Sequence, residues 1–239
     1  MNVLIVAAHP DDEVLGCGGT ILGLGRAGHR VSLVILGEGL TARGAAREGA
    51  APAALADLRA CSTEAARVLG AHEVTHHGLP DNRFDTLPLL EIVKLVEAEI
   101  ARVRPRAVYT HHGGDLNVDH AVVHRAVLTA TRPVPGQGVR ELYAFETPSS
   151  TEWAFTAAPA PFRPNVFVDI GRDLEGKLGA LACYPSEVRE FPHPRSAEGL
   201  RAIARRWGTV AGCAAAEAFE LVRHLRGPGD ASEEWGAGG

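Results

Sequence analysis

The chain opens on a short unbroken apolar run, Val3 to Ala8, of the kind formed by a strand buried on both faces of a parallel sheet. A loop follows at His9, the stretch from Gly18 to Ala27 can make one helix, and Arg30 to Leu36 is a second β-branched apolar run. These segments predict a strand-loop-helix-strand unit with parallel strands. Residues Ala50 to Leu69 are alanine-rich, carry apolar positions at helical spacing and stop at Gly70. Glu73 to His77 predicts a strand, Leu87 to Val103 a helix ending before Pro105, Ala107 to Thr110 a short strand, and Asp119 to Ala130 a helix. The intervening HHGGDLNVDH has too many turn formers to be anything but loop. Beyond Arg132 the rhythm changes. Leu142 to Glu146 and Asn165 to Ile170 predict strands, Leu174 to Cys183 a helix, and Ala197 to Leu225 one long or broken helix.

Such alternation marks an α/β fold, a mostly parallel sheet covered by helices, with ligands outside the carboxyl ends of the strands. A length of 239 residues fits one large domain, read here as residues 1–226, followed by a flexible tail, 227–239. The net charge of -5 and pI near 6.1 argue against a nucleic-acid partner, which calls for a basic face. No apolar stretch approaches the ~18 residues of a membrane span, and no basic leader precedes Val3. The four cysteines are far apart and form no C-x-x-C pair, so a reduced, cytoplasmic setting is expected. Eleven histidines, several beside acidic residues, point toward a metal or an acid–base site. Oligomeric state stays open, a homo-oligomer included.

Two loops that each follow a predicted strand hold the candidate chemistry: His9-Pro10-Asp11-Asp12-Glu13 and Asp115-Leu116-Asn117-Val118-Asp119-His120. Parallel strands put both on one sheet edge. A catalytic zinc takes three nitrogen or oxygen ligands and keeps one position open, and His9, Asp12 and His120 can supply the three. Asp11 is then free to act as a base. A divalent cation acidifies water toward a pKa of roughly 7 and polarises a carbonyl, so a neighbouring carboxylate suffices for amide hydrolysis. The plainer reading of HPDDE is an acidic turn capping a helix; its place after a buried strand, with a second Asp-His loop, favours the metal.

AHPDDEVLGCGG, the later DLNVDH, and Lys177, Tyr184, Ser186 and Glu187 near the end resemble the LmbE-like family that includes N-acetylglucosaminyl-phosphatidylinositol de-N-acetylase. The resemblance implies a Rossmann-like three-layer sandwich, Zn2+ on His9, Asp12 and His120, Asp11 as general base, and an N-acetylated amino sugar as the small-molecule substrate. Arg43, in GEGLTARG after the second strand, resembles the family arginine that contacts substrate; the guanidinium fork suits sugar hydroxyls or phosphate. One departure concerns the oxyanion. Many family members have histidine three residues before the last zinc ligand, where this chain has Asn117, which can donate a hydrogen bond but cannot titrate.

His124, four residues beyond His120, is a candidate substitute on the same helix face. Asp81 and Asn82 could bind sugar hydroxyls, although PDNR is also good turn chemistry. His193 in FPHPRS is a further loop candidate, and His111 and His112 stand where one of them could orient a ligand. Three rivals carry less. Gly16-Cys17-Gly18-Gly19 lacks the glycine that a dinucleotide fingerprint needs at Ile21. A non-haem iron oxygenase also uses two histidines and a carboxylate, but with H-x-D spacing where this chain has H-x-x-D. A catalytically silent sugar-binding module would not need the intact His-Asp-Asp-His set.

Overall fold

A computed structural model describes residues 1–41, 51–155 and 160–227. Strands β1 (Asn2–Ala7), β2 (Arg30–Gly37), β3 (Glu73–Leu79), β4 (Ala107–His111), β5 (Glu141–Phe145), β6 (Val166–Asp169) and β7 (Ala216–His224) form one seven-stranded sheet in the order β3-β2-β1-β4-β5-β7-β6. The pairs from β3 through β5 are parallel, and β7 runs antiparallel between β5 and β6. Helices α1 (Asp12–Arg26), α2 (Pro52–Leu69), α3 (Leu89–Val103), α4 (Val118–Ala130), α5 (Leu174–Leu181) and α6 (Ala197–Ala211) connect them.

Both faces of the sheet are covered, which explains the unbroken apolar runs. Along β1, Val3 and Ile5 join the core under α1, α2 and α5, while Leu4 and Val6 join the core under α3 and α4. Residues of opposite parity face opposite layers, so both parities of such a strand favour apolar side chains. Each fully buried aliphatic side chain contributes about 1.5–3 kcal/mol. The result is the α/β sandwich expected from the sequence.

The topology also fixes where a site can form. The chain works outward from β1 to β3 on one side and then returns to place β4 on the other side of β1. Loops leaving β1 and β4 therefore diverge over a crevice at the carboxyl edge, the switch point at which open α/β sheets bind ligands. Those connections carry His9 to Glu13 and Asp115 to His120, with Asp12 and Glu13 on the first turn of α1 and His120 on the first turn of α4.

Two expectations need correction. Helix α1 begins at Asp12, not Gly18, so the glycine-rich stretch is helical. A Cβ on Gly16 would collide with the Phe145 ring and one on Gly19 would press on Ile170, so close helix–sheet packing outweighs the poor helix propensity of glycine. The segment from Ala197 to Leu225 is not one helix: α6 ends at Ala211, Gly212 adopts the left-handed conformation, and Ala216 to His224 is strand β7. Alanine and glutamate there favour helix, but pairing with β5 and β6 decides the outcome.

Candidate metal centre

Three side chains converge at the switch point: His9 from the loop after β1, Asp12 from the first turn of α1 and His120 from the first turn of α4. Nδ1 of His9 lies 3.4 Å, and Nε2 of His120 3.2 Å, from Oδ2 of Asp12. The ligand atoms of His9, Asp12 and His120 all fall within 4.8 Å of one another, a spacing that a single divalent cation could bridge. Asp12 and His120 are buried, and the His9 side chain is 12% exposed. Among the described residues, Asp12 Oδ1 and both ring nitrogens of His120 are buried without an aligned hydrogen-bond partner. Buried polar atoms are normally satisfied, and a cation on these residues would satisfy Asp12 Oδ1 and His120 Nε2.

The surrounding carboxylates orient the imidazoles. His9 Nε2 contacts Asp119 Oδ2 at 2.9 Å and Asp81 Oδ1 at 3.1 Å, which turns Nδ1 toward Asp12. Asp119 is itself fixed by the Phe84 N–H at 2.9 Å. His9, Asp81 and Asp119 also lie close enough to form a second cation group, but it shares His9 with the first. We read these two carboxylates as holding the Nε2 proton, the arrangement that outer-sphere carboxylates adopt around metal-binding histidines. His120 Nδ1 is 3.0 Å from Asp115 Oδ1 on its far side. His111 stacks on His120 at a ring-centroid distance of 3.9 Å, while its Nε2 accepts the Ala8 N–H at 2.9 Å.

Electrostatics agree with a cation site. Burial lowers the His120 pKa, but Asp12 and Asp115 outweigh it and raise the group to about 9. Burial likewise disfavours a charged His9, and the contacts with Asp119, Asp12 and Asp81 raise it well above its ordinary value. A field that holds protons this firmly also holds a divalent cation, and the two compete.

Asp11 lies beside this group on a different heading. Its backbone is left-handed, φ 101° and ψ -27°, a conformation that non-glycine residues adopt at a cost and that clusters at functional sites. The twist separates the side chains of Asp11 and Asp12, so that Asp11, 2% exposed, lines a cavity of about 150 Å³. Burial pushes its pKa well above the usual carboxylate range; Arg195 opposes that shift, while Asp12 and Glu187 add to it. Glu13, buried one residue further on, is raised by burial to about 7, against the hydrogen bond from the Tyr184 hydroxyl at 2.5 Å.

The structure brings some of the remaining candidates to that cavity and not others. Asp81, Asn82 and Asn117 line it together with His9 and Asp11. Asn117 caps α4, its Oδ1 accepting the Asp119 N–H at 2.9 Å. His124 lies elsewhere: its Nδ1 contacts the His111 carbonyl at 2.8 Å, and its ring lines an apolar groove of about 650 Å³ between α4 and the segment Phe84 to Leu89 that leads into α3. His193 accepts the Arg195 N–H through Nδ1 at 3.1 Å and meets Trp153 edge to face. Arg43 lies outside the described residues. Arg195 and Glu187 also line the cavity. Arg195 escaped the sequence reading because nothing local ties it to a residue 184 positions away.

Residues 4–131 match the family model described as GlcNAc-PI de-N-acetylase, PIG-L. The chain belongs to the PIG-L family. It is 29% identical over 191 residues to the uncharacterized deacetylase YaiS of Escherichia coli K12, covering 77% of this chain and 91% of that protein. A Mycobacterium 1D-myo-inositol 2-acetamido-2-deoxy-alpha-D-glucopyranoside deacetylase is 26% identical over 274 residues, covering 96% of this chain and 86% of its own length. The crystal structure of the 4-carboxy-2-hydroxymuconate hydratase GalB from Pseudomonas putida KT2440 superposes with a TM-score of 0.74 at 23% identity, covering 95% of this chain and 98% of its own. A hydratase on the same fold means that fold alone does not choose the reaction.

Proposed function

We propose that this protein is a zinc-dependent hydrolase that removes the acetyl group from an N-acetylated amino sugar or a related glycoside. The observation that carries the reading is the buried His9, Asp12 and His120 group with Asp11 beside it and turned away from it. Family membership supplies the acyl-amide chemistry, and the sugar comes from relatives such as the Mycobacterium deacetylase. No helix among the described residues is long and apolar enough to cross a membrane.

His9, Asp12 and His120 would hold the ion. Two imidazoles and a carboxylate make a set that suits zinc and leaves room for further ligands. When bound, a divalent cation acidifies water and polarises an acyl carbonyl. Asp11 takes the proton from the water that attacks the acyl carbon, and gives it to the nitrogen as the C–N bond breaks, leaving acetate and a free amine. A pKa raised by burial makes Asp11 a stronger base than an exposed carboxylate. Asn117 faces the same cavity with its Oδ1 engaged as a cap, which leaves the Nδ2 protons for the developing oxyanion. Asp81 and Asn82, on the same wall, are placed for sugar hydroxyls.

The test is acetate release from a panel of N-acetylglucosaminides by zinc-loaded protein, in air and without a reductant or 2-oxoacid. Chelation should abolish release, Asp11→Asn should keep one metal per chain and lose most turnover, and His120→Ala should lose the metal. An Asp11→Asn variant as fast as wild type would overturn the base assignment. Activity that requires a reductant and 2-oxoacid would revive the iron oxygenase.

A further inference from the structure

The Asp11 carboxyl is buried among other buried carboxyl groups. Asp12, Glu13 and Glu187 are each 3% exposed or less, and Asp11 stands on a left-handed backbone that does not by itself hold its side chain in place. Among the described residues one side chain grips it: Arg195, whose Nη1 donates to Asp11 Oδ2 at 2.8 Å. That guanidinium is fixed in turn. Nη1 also reaches Glu187 Oε2 at 3.2 Å, Nε donates to Ser149 Oγ at 2.8 Å, and the Arg195 N–H donates to His193 Nδ1 at 3.1 Å. Ser196, the next residue, caps α6 by accepting the Gly199 N–H at 2.9 Å. The arm that reaches Asp11 is therefore anchored at its root by a helix start and the His193 ring, and along its length by Ser149 and Glu187.

We infer that Arg195 is a positioning residue for the reaction: it ties down Asp11 Oδ2 so that Oδ1 alone is presented to the cavity. The inference rests on the reading of Asp11 as the base. A carboxylate with one oxygen pinned has lost its rotation about χ2, and the remaining oxygen meets the attacking water along one direction. Because a 1 Å misplacement of a catalytic group costs about 10²-fold in rate, a single anchoring contact can matter that much. Among the described residues the Arg195 guanidinium hydrogen-bonds Asp11, Glu187 and Ser149 and none of His9, Asp12 or His120, so it reaches the ligand set only through its charge on Asp12, an effect that metal content would register.

A double-mutant cycle on the zinc-loaded enzyme tests this, with kcat, KM, metal content and Tm measured for Arg195→Ala, Asp11→Asn and the double variant. Arg195→Ala should lower kcat about 10²-fold with KM little changed and one metal retained. In the Asp11→Asn background the same change should cost nothing further, and added guanidinium should restore part of the turnover of Arg195→Ala but none of that of the double variant. If Arg195→Ala does not fold, Arg195→Lys completes the cycle with a smaller loss and the same absence of additivity. Losses that multiply would show that Arg195 acts independently of Asp11 and would overturn the inference, as would wild-type turnover in Arg195→Ala or loss of its metal. An active Asp11→Asn would instead refute the base assignment, so the two failures are distinguishable.

Discussion

Nδ1 of His120 lies 3.0 Å from Oδ1 of Asp115; the Ser150 hydroxyl donates to the same oxygen and the Thr151 hydroxyl to Oδ2. Burial alone would raise Asp115, but His120, Ser150 and Thr151 hold it at about 2, so it stays an anion at any working pH. Asp115 thereby turns His120 so that Nε2 faces Asp12. Asp115→Asn should weaken metal affinity by about 10–100-fold while leaving the fold intact, as measured by chelator competition. Unchanged affinity would mean that packing against His111 orients His120 unaided.

In the proposed reaction Asn117 has two separable duties, the cap that its Oδ1 makes and the hydrogen bond that its Nδ2 would give the oxyanion. Asp caps a helix as well as Asn does but donates nothing when ionised. Asn117→Asp should therefore hold Tm near wild type and lower kcat by about 10²–10³-fold. A variant with normal kcat would assign the oxyanion to some other donor.

Lys177 and Glu217 form a buried ion pair at 2.6 Å beneath α1. Lys177 Nζ also donates to the Leu15 carbonyl at 2.7 Å, while Glu217 accepts the Gly19 and Thr20 N–H groups at 2.9 and 2.7 Å. The pair thus spans consecutive turns of the helix whose first residue is Asp12. Lys177→Met leaves a buried carboxylate without its cation and should cost about 3–5 kcal/mol in denaturant titration. A loss under about 1 kcal/mol would show that the backbone donors on Glu217 suffice.

His112, the residue after β4, meets Glu220 of β7 at 2.7 Å. Burial lowers His112, but Glu220 and the Ala160 carbonyl raise it above 6.5; burial raises Glu220, but His112 and the Arg163 N–H hold it below 4.5. The stability from His112 is complete below its unfolded value and fades as pH rises through the folded one. That from Glu220 is complete above its unfolded value and fades as pH falls through the folded one. The pair is therefore worth most between pH 4.5 and 6.5. Glu220→Gln should lower Tm more at about pH 5.5 than at about pH 8.5. Equal losses at both would leave the pair no electrostatic role.

How far the sequence reached depended on the range of the interaction. Val3 to Ala8 announced a doubly buried strand because every residue of it was apolar, and His9, Asp11 and Asp12 were legible because they follow it directly. His120 could be placed with them because parallel strands deliver their loops to one edge. Local chemistry determined these elements and the residues offered to a metal. Only the tertiary structure decided that Ala216 to His224 would be a strand, since two neighbouring strands hold it against its own helix propensity. Only the fold could bring Arg195 onto Asp11, or send His124 to the groove beside α4, because a charge contact across 184 positions, or the neighbour that a helix face meets, is set by packing and leaves no periodic trace in the chain.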